Sequence, residues 1–467
     1  MDVSTHLLPI LGLTLYALGG LTVALYIAKR LGRFLNFRTL VILNYVVVSP
    51  VSGIVHLMQL KGASRGYFDV STATDQGLVN ATLGSILGLF ALCLACLLKL
   101  PGDDFKPTHL PEPWLITSEK RFIVLATLLM LPVTIFATLQ IQAYVRTTEL
   151  TRVIVLNDGM ARFSFISNWL VWVVSFLALL IIGGRAGKSR VVTLLVTAAA
   201  TLAIVASLSW TGGRSVIIVM VLPLILVVLP KLSGLRWLAV PAAITAATAY
   251  IISVSENRSS VDRGFNVATW LDWEWGRYSM TGFATEYVEN NGYVFGESFL
   301  AGITSVLLGI LRLIGLPIPN PPLHTSTQMS GQHLLNSTTL VHIVPGLNAE
   351  LFMNFGMFGI IGGCFVLGRV TCWVDRKYQQ APTAIVKLAF AYVGTLLVFR
   401  TVSADSGSIY SYLIYVGAPL LLAGWYSTFT RRRDKQRLIS EDKASARHKA
   451  RQSVLAPQQP AVPGKTN

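Results

Sequence analysis

The stretch "SLSWTGGRSVIIVM", residues 207–220, stands between two apolar runs, "RVVTLLVTAAATLAIVA" (190–206) and "VLPLILVVLP" (221–230). The join carries two glycines and a permanent cation, Arg214. Apolar runs of about 20 residues are long enough to cross about 30 Å of hydrocarbon. The join therefore reads as the turn between two membrane helices. Runs of this kind recur along the chain. Of its 467 residues 53% are hydrophobic and 13% charged, where soluble domains carry roughly 25% charged residues. The fold class that follows is all-α, a polytopic transmembrane helix bundle. An unpaired backbone group in lipid costs several kcal/mol, and a helix pairs its own.

The runs place eleven spans near 7–28, 39–60, 77–98, 122–145, 163–183, 191–208, 215–230, 237–254, 346–368, 388–400 extended to either side, and 408–428. The first run is too long for the apolar part of a signal peptide and lacks a basic start, so it reads as a retained span. Residues 1–254 then hold the first eight helices, and 255–345 form one large loop with interfacial helices. Residues 346–428 hold the last three, and 429–467 make a basic, proline-containing, disordered tail.

Charge sets the orientation. The loops 29–38, 99–121, 184–190, 231–236 and 369–387, with the tail, hold 27 of the 38 Lys and Arg but only 8 of the 22 Asp and Glu. The alternate loops are slightly acidic, at −3. The positive-inside rule puts the basic set in the cytoplasm. The N-terminus and the 255–345 loop then face outward, and the tail faces inward. This one-sided distribution argues against nucleic acid as the partner behind the +16 net charge. It brings the tail to anionic lipid instead. The segment "FLAGITSVLLGILRLIG" (299–315) is apolar enough to suggest a twelfth span. A twelfth crossing would leave basic loops or the tail outside. With Glu297 before it, Arg312 within it and "LPIPNPP" after it, it reads as a helix lying on or dipping into the outer face.

Ten of the eleven basic residues assigned to the outer side are arginines. The planar guanidinium fork suits phosphate and carboxylate. Any single arginine is accounted for by the 14 outer acids or by lipid headgroups. The set as a whole favours an anionic ligand. Arg214 precedes a helix that starts at Ser215 with its N-terminus outward, and helix N-termini attract anions. Gly212 and Gly213 permit a close backbone approach, and Ser215 can cap. The alternative is a tight hairpin whose arginine snorkels to headgroups. "GGRAGKSR" (183–190) imitates a phosphate loop but is one residue short and follows no strand. Arg400 lies near the outer end of the tenth span, five residues before Asp405. It either pairs with that acid or is held at the outer mouth of the helix bundle.

Between 255 and 293 acids, arginines and aromatics alternate: Arg258, Arg263, Asp272, Trp273, Glu274, Trp275 and Arg277. Rings that stack on sugar faces, beside acids that accept hydroxyl protons, suit carbohydrate. An interfacial tryptophan belt is the alternative. From about Trp270 to Glu289 the segment is compatible with an amphipathic helix. His324, His333 and His342 recur at intervals of nine with no close pair, so no metal site is expected. Cys93 and Cys96 lie on one face of an apolar helix and read as packing. Glu350 and Asn354, four apart, share a face at the outer mouth of the ninth span. Gly356, Gly359 and Gly363 follow, with a GxxxG that reads as close helix packing.

The order of these features resembles the bacterial oligosaccharide repeat-unit polymerases, the O-antigen polymerase family. The resemblance runs over about 205–405. It is carried by the "GGRS" turn, by "WEWGRYSMTGFATEYVENNGYVFGESFLAGI" and by "PGLNAELFMNFGMFGIIG". The Arg-x₁₀-Gly repeats of some members have no match among the outer arginines here, so no catalytic residue is carried over. The resemblance implies an enzyme of the bacterial inner membrane whose site faces the periplasm. Its partners would be undecaprenyl-diphosphate-linked oligosaccharides, the lipid bilayer and a chain-length regulator, and it would need neither metal nor cofactor. On that expectation Arg214, Arg277 and Arg400, with Gly212, Gly213 and Ser215, bind diphosphate. Glu350 is the first candidate for the base and His342 the second. Arg258, Arg263, Asp272, Trp273, Glu274, Trp275 and Asn354 bind glycan. The alternatives are a ligase that passes the glycan to lipid A-core and a non-enzymatic flippase.

Overall fold

The computed structural model describes residues 6–58, 75–98, 115, 117–148, 166–183, 219, 222–227, 276–313, 316, 319, 323–335, 343–430, 433 and 440. Among these the chain is helical and no strand occurs. In chain order the helices are α1 (Leu7–Leu31), α2 (Phe37–Leu57), α3 (Asp75–Leu97), α4 (Thr117–Thr148), α5 (Leu170–Gly183) and α6 (Tyr278–Asn291). They continue with α7 (Glu297–Leu313), α8 (Ser326–Leu335), α9 (Leu347–Gln379), α10 (Ala384–Thr401), α11 (Ser406–Val416) and α12 (Ala418–Thr430). Six are long and apolar enough to cross a membrane, or seven if α11 and α12 form one span bent by 59°. The protein is a multi-pass helical membrane protein. The spans expected near 191–208 and 237–254 lie outside the described residues, as does most of 215–230.

Local sequence sets several helix ends. Asn36 accepts a hydrogen bond from the Thr39 amide and caps α2, and Gly32 ends α1 in the left-handed region at φ 64°. The centre of the bundle is α2, α3 and α9. Small residues let these helices approach, as lipid-embedded helices require. A side chain at Gly84 of α3 would strike Ile360, one at Gly88 would strike the Tyr45 hydroxyl, and one at Gly368 of α9 would strike Ala95.

The ninth span is not straight. Gly356 has φ 63° and ψ −150°, a backbone state essentially reserved for glycine. The first segment of α9 folds back on the second. The Leu351 side chain packs on Gly363, and its carbonyl abuts Gly359. In a straight helix Leu351 and Gly363 would stand about 18 Å apart. The GxxxG thus receives the same helix's own first segment, where the sequence suggested packing between spans.

The fold-back also moves the start of α9 away from the mouth of the bundle. The Asn348 side chain accepts from Tyr45 Oη at 2.9 Å and donates to Ser49 Oγ at 3.2 Å. Both partners lie in the middle of α2. Ser49 in turn meets Ser85 at 2.7 Å. Ser85 is ten residues along α3 from Asp75, about 15 Å, half the thickness of a hydrocarbon core of about 30 Å.

Three helices contain a π-helical turn: α2 at Val47–Val51, α10 at Leu396–Thr401 and α11 at Tyr412–Val416. Such turns disturb the backbone ladder, and away from water the affected carbonyls need donors. Side chains supply them. Asn44 Nδ2 donates to the Val398 carbonyl at 2.8 Å, and Tyr392 Oη donates to that of Tyr412 at 2.6 Å. The Trp169 and Trp172 indoles of the α5 region donate to the carbonyls of Tyr415 and Val416, both at 2.6 Å.

Helix α7 lies beside α11. Gly302 meets the Gly407 backbone, and Tyr415 Oη donates to the Val306 carbonyl at 2.7 Å. The amide of His324 returns to Glu297 Oε1 at 3.1 Å. Residues 297–324 therefore begin and end at one place and make no net crossing of the bundle.

Candidate functional site

Five helices begin around one buried point. The fourth residue of α9 is Glu350. Its Oε1 accepts from the hydroxyls of Ser298 at 2.9 Å and Ser406 at 2.7 Å, and its Oε2 accepts from the Ser406 amide at 2.8 Å. Ser298 is the second residue of α7, and Ser406 is the first of α11. One turn further on, Asn354 donates to Ser298 Oγ at 2.8 Å and to the Glu350 carbonyl at 2.7 Å. Its Oδ1 accepts from the Gly296 amide at 2.7 Å, which fixes the orientation of the side-chain amide.

Asp405 caps α11. Its Oδ1 accepts from the Ser408 amide at 3.0 Å, and its Oδ2 from the Thr327 hydroxyl, at the start of α8, at 2.7 Å. Arg277 occupies the cap position of α6. Its amide donates to the Val48 carbonyl in the π-turn of α2 at 2.9 Å. Its Nε donates to the Ser403 carbonyl at 3.1 Å and its Nη1 to that of Gly276 at 2.7 Å. The aliphatic stem of Arg277 lies on Gly346, the cap position of α9, where φ is 79° and a side chain would collide with it. Arg400, in the π-turn of α10, sets its guanidinium 4.5 Å from the centroid of the Tyr412 ring.

The starts of α6, α7, α8, α9 and α11 thus converge. The first N–H groups of a helix have no partner within it, and its N-terminus carries a partial positive charge. Glu350 and Asp405 answer that charge at 2% and 3% exposure. A buried carboxylate is costly unless it is paired or hydrogen-bonded, and these helix starts supply the donors.

Polar contacts hold α8 across this region. His324 Nδ1 stands 3.8 Å from Glu297 Oε1, and His333 Nε2 stands 3.9 Å from Glu286 Oε1. Tyr287 meets the His333 ring edge-on at 5.7 Å between centroids. Burial and the Glu297 charge raise the pKa of the Tyr287 hydroxyl. On α6, burial pushes that of Tyr278 up to about 12, moderated by its hydrogen bond with Thr82. Among the described residues no three His, Cys, Asp or Glu side chains group as metal ligands would.

Of the residues singled out from sequence, Glu350 and Asn354 belong to one network, Arg277 reaches Ser403 and Gly346, and Arg400 lies on Tyr412. Glu350 lies buried on the folded-back segment, where the sequence placed it at the mouth of a straight span. Arg277 binds backbone carbonyls and fastens helix starts together. Asp405 accepts from Ser408 and Thr327, and the Arg400 guanidinium lies on Tyr412. Arg214, Gly212, Gly213, Ser215, Arg258, Arg263, Asp272, Trp273, Glu274, Trp275 and His342 lie outside the described residues. Sequence reasoning missed Ser298, Thr327 and Ser406, and it took Asp405 only as a counter-ion. The available signal was capping chemistry, Asp405 three residues before Ser408 in "ADSGS". No family model, curated protein or solved structure matches the chain.

Proposed function

We propose that the protein is a membrane glycosyltransferase that polymerises undecaprenyl-diphosphate-linked oligosaccharide repeat units into O-antigen or another surface polysaccharide. In this reading eleven spans place the N-terminus and the 255–345 loop in the periplasm and the tail in the cytoplasm. The site faces outward from the bacterial inner membrane. The supporting observation is the meeting of the starts of α7, α8, α9 and α11 at Glu350 and Asp405, with Arg277 tying the start of α6 to Gly346 and Ser403. The reaction needs that combination. Charge develops on a diphosphate leaving group, which preorganised donors stabilise, and a carboxylate takes a proton from a sugar hydroxyl.

Within the proposal Arg214 and Arg400, with Gly212, Gly213 and Ser215, meet the diphosphate. Arg277 aligns the helix starts. Arg258, Arg263, Asp272, Trp273, Glu274, Trp275 and Asn354 orient the glycan. Glu350, with His342 as the alternative, answers the acceptor. A chain-length regulator is the proposed protein partner.

The test is the lipopolysaccharide ladder of a strain lacking the protein. Loss of a polymerase leaves core carrying one repeat. Bare core would overturn polymerisation in favour of ligation or flipping. Arg214→Lys sharpens the test. If the clamp needs two-pronged phosphate contact, lysine abolishes most long chains while the protein still inserts. A full ladder from the lysine variant would reduce Arg214 to a snorkelling residue.

A further inference from the structure

Two carboxylates share the site, and their partners differ in kind. Glu350 accepts three hydrogen bonds from two helix starts, two of them from Ser406 alone. Three of the roughly four acceptor positions of this carboxylate are therefore taken. Asp405 is held differently. Its Oδ1 is committed to the cap of α11, and its Oδ2 accepts from the Thr327 hydroxyl at 2.7 Å. A threonine hydroxyl is a secondary alcohol, the chemical class of a sugar ring hydroxyl. The distance lies within the roughly 2.6–3.2 Å at which a general base takes a proton.

The helix that carries Thr327 packs on the site, with Ser326, Met329 and Ser330 buried. Met329 joins the apolar core and Leu334 packs against it, His333 meets Tyr287 edge-on and stands 3.9 Å from Glu286 Oε1, and Thr327 bonds Asp405.

We propose that Asp405 is the general base and that Thr327 occupies the acceptor's position on it until the acceptor displaces that hydroxyl. This rests on the glycosyl-transfer reading above and changes its base. The acceptor's sugar hydroxyl replaces the Thr327 hydroxyl on Oδ2. Asp405 takes its proton as the hydroxyl oxygen bonds to the anomeric carbon of the lipid-diphosphate-linked donor. The bond from that carbon to the diphosphate oxygen breaks, its electron pair leaves with the diphosphate, and Asp405 then passes the proton to water. Glu350 positions the starts of α7 and α11 around the reacting groups.

The test uses the full chain in a strain deleted for it, with protein level in the membrane and the polysaccharide ladder both measured. Asn and Ser cap helices about as well as Asp, so Asp405→Asn and Asp405→Ser keep the start of α11 and lose the base. Both variants are expected to accumulate normally and to make long chains at least about 100-fold less than wild type. Thr327→Val is expected to raise chain yield by about tenfold or more, the weight of one hydrogen bond to a charged acceptor. A wild-type ladder from either Asp405 variant overturns the assignment of the base. A Thr327→Val protein that inserts normally but is as inactive as Asp405→Asn overturns the placeholder role. Failure of the wild-type gene to restore any ladder overturns the glycosyl-transfer reading itself, a different result from both.

Discussion

The first turn of α9 carries two polar side chains that face opposite ways and meet different surroundings. Asn348 joins Tyr45, Ser49 and Ser85, with the Cys364 thiol 3.8 Å from its Oδ1. All of these partners are side chains in helix interiors. Glu350 joins Ser298 and Ser406, at the starts of two other helices. The difference has a simple cause. Inside a helix every backbone N–H is already spent, so a network there is built from side chains and stays neutral. A buried carboxylate needs more donors, and helix starts offer N–H groups that nothing else has used. In a membrane the charged network therefore requires interrupted helices. The bend at Gly356 and the short helices α6, α7 and α8 are the interruptions that place it there.

Removing the charged centre gives the largest expected effect on this contrast. Glu350→Ala leaves two hydroxyls and one amide without their acceptor, and each buried orphan costs about 1–3 kcal/mol. The detergent-solubilised protein should lose most of its folded fraction in thermal melts. Unchanged melting would mean that the helix starts hold together without the carboxylate. Next comes Gly356→Ala. The backbone state costs a non-glycine residue about 1–3 kcal/mol, and the new methyl meets the Tyr293 ring. A lower melting temperature and a lost ladder are expected, and removing the Tyr293 ring in a double variant should not restore them, because the backbone strain remains. A full rescue would move the cause from backbone to side chain. The smallest effect belongs to the neutral network. Tyr45→Phe removes one hydroxyl and should cost about 0.5–1.5 kcal/mol with the ladder intact. Loss of the ladder without loss of stability would draw Asn348 and its partners into the site.

Much of the bundle was legible in the sequence. The long apolar runs at α1, α2, α3 and α4 coincide with helices long enough to span. Glu350 and Asn354 stood out as polar residues one turn apart in an apolar setting, and they do share one network. The bend between them and Gly359 was not legible. "NFGMFGIIGG" reads equally well as an interhelical glycine seam, and a glycine does not announce the sign of its φ. Ser298, Thr327 and Ser406 were invisible for another reason. Serine and threonine at helix starts are common, and their partner Glu350 or Asp405 is distant in the chain.

The sequence by itself determined that this chain is a multi-pass helical protein of the membrane, because lipid acts on each segment separately. Hydropathy is a local quantity, summed over about 20 neighbouring residues. Only the tertiary structure decided which helix starts meet. The hydrogen bonds of Glu350 reach across 52 and 56 residues, and that of Asn348 with Ser49 across 299. A helix start offers its donors whatever stands nearby. Whether they become a site depends on which carboxylate the fold brings to them, and here the fold-back at Gly356 brought Glu350.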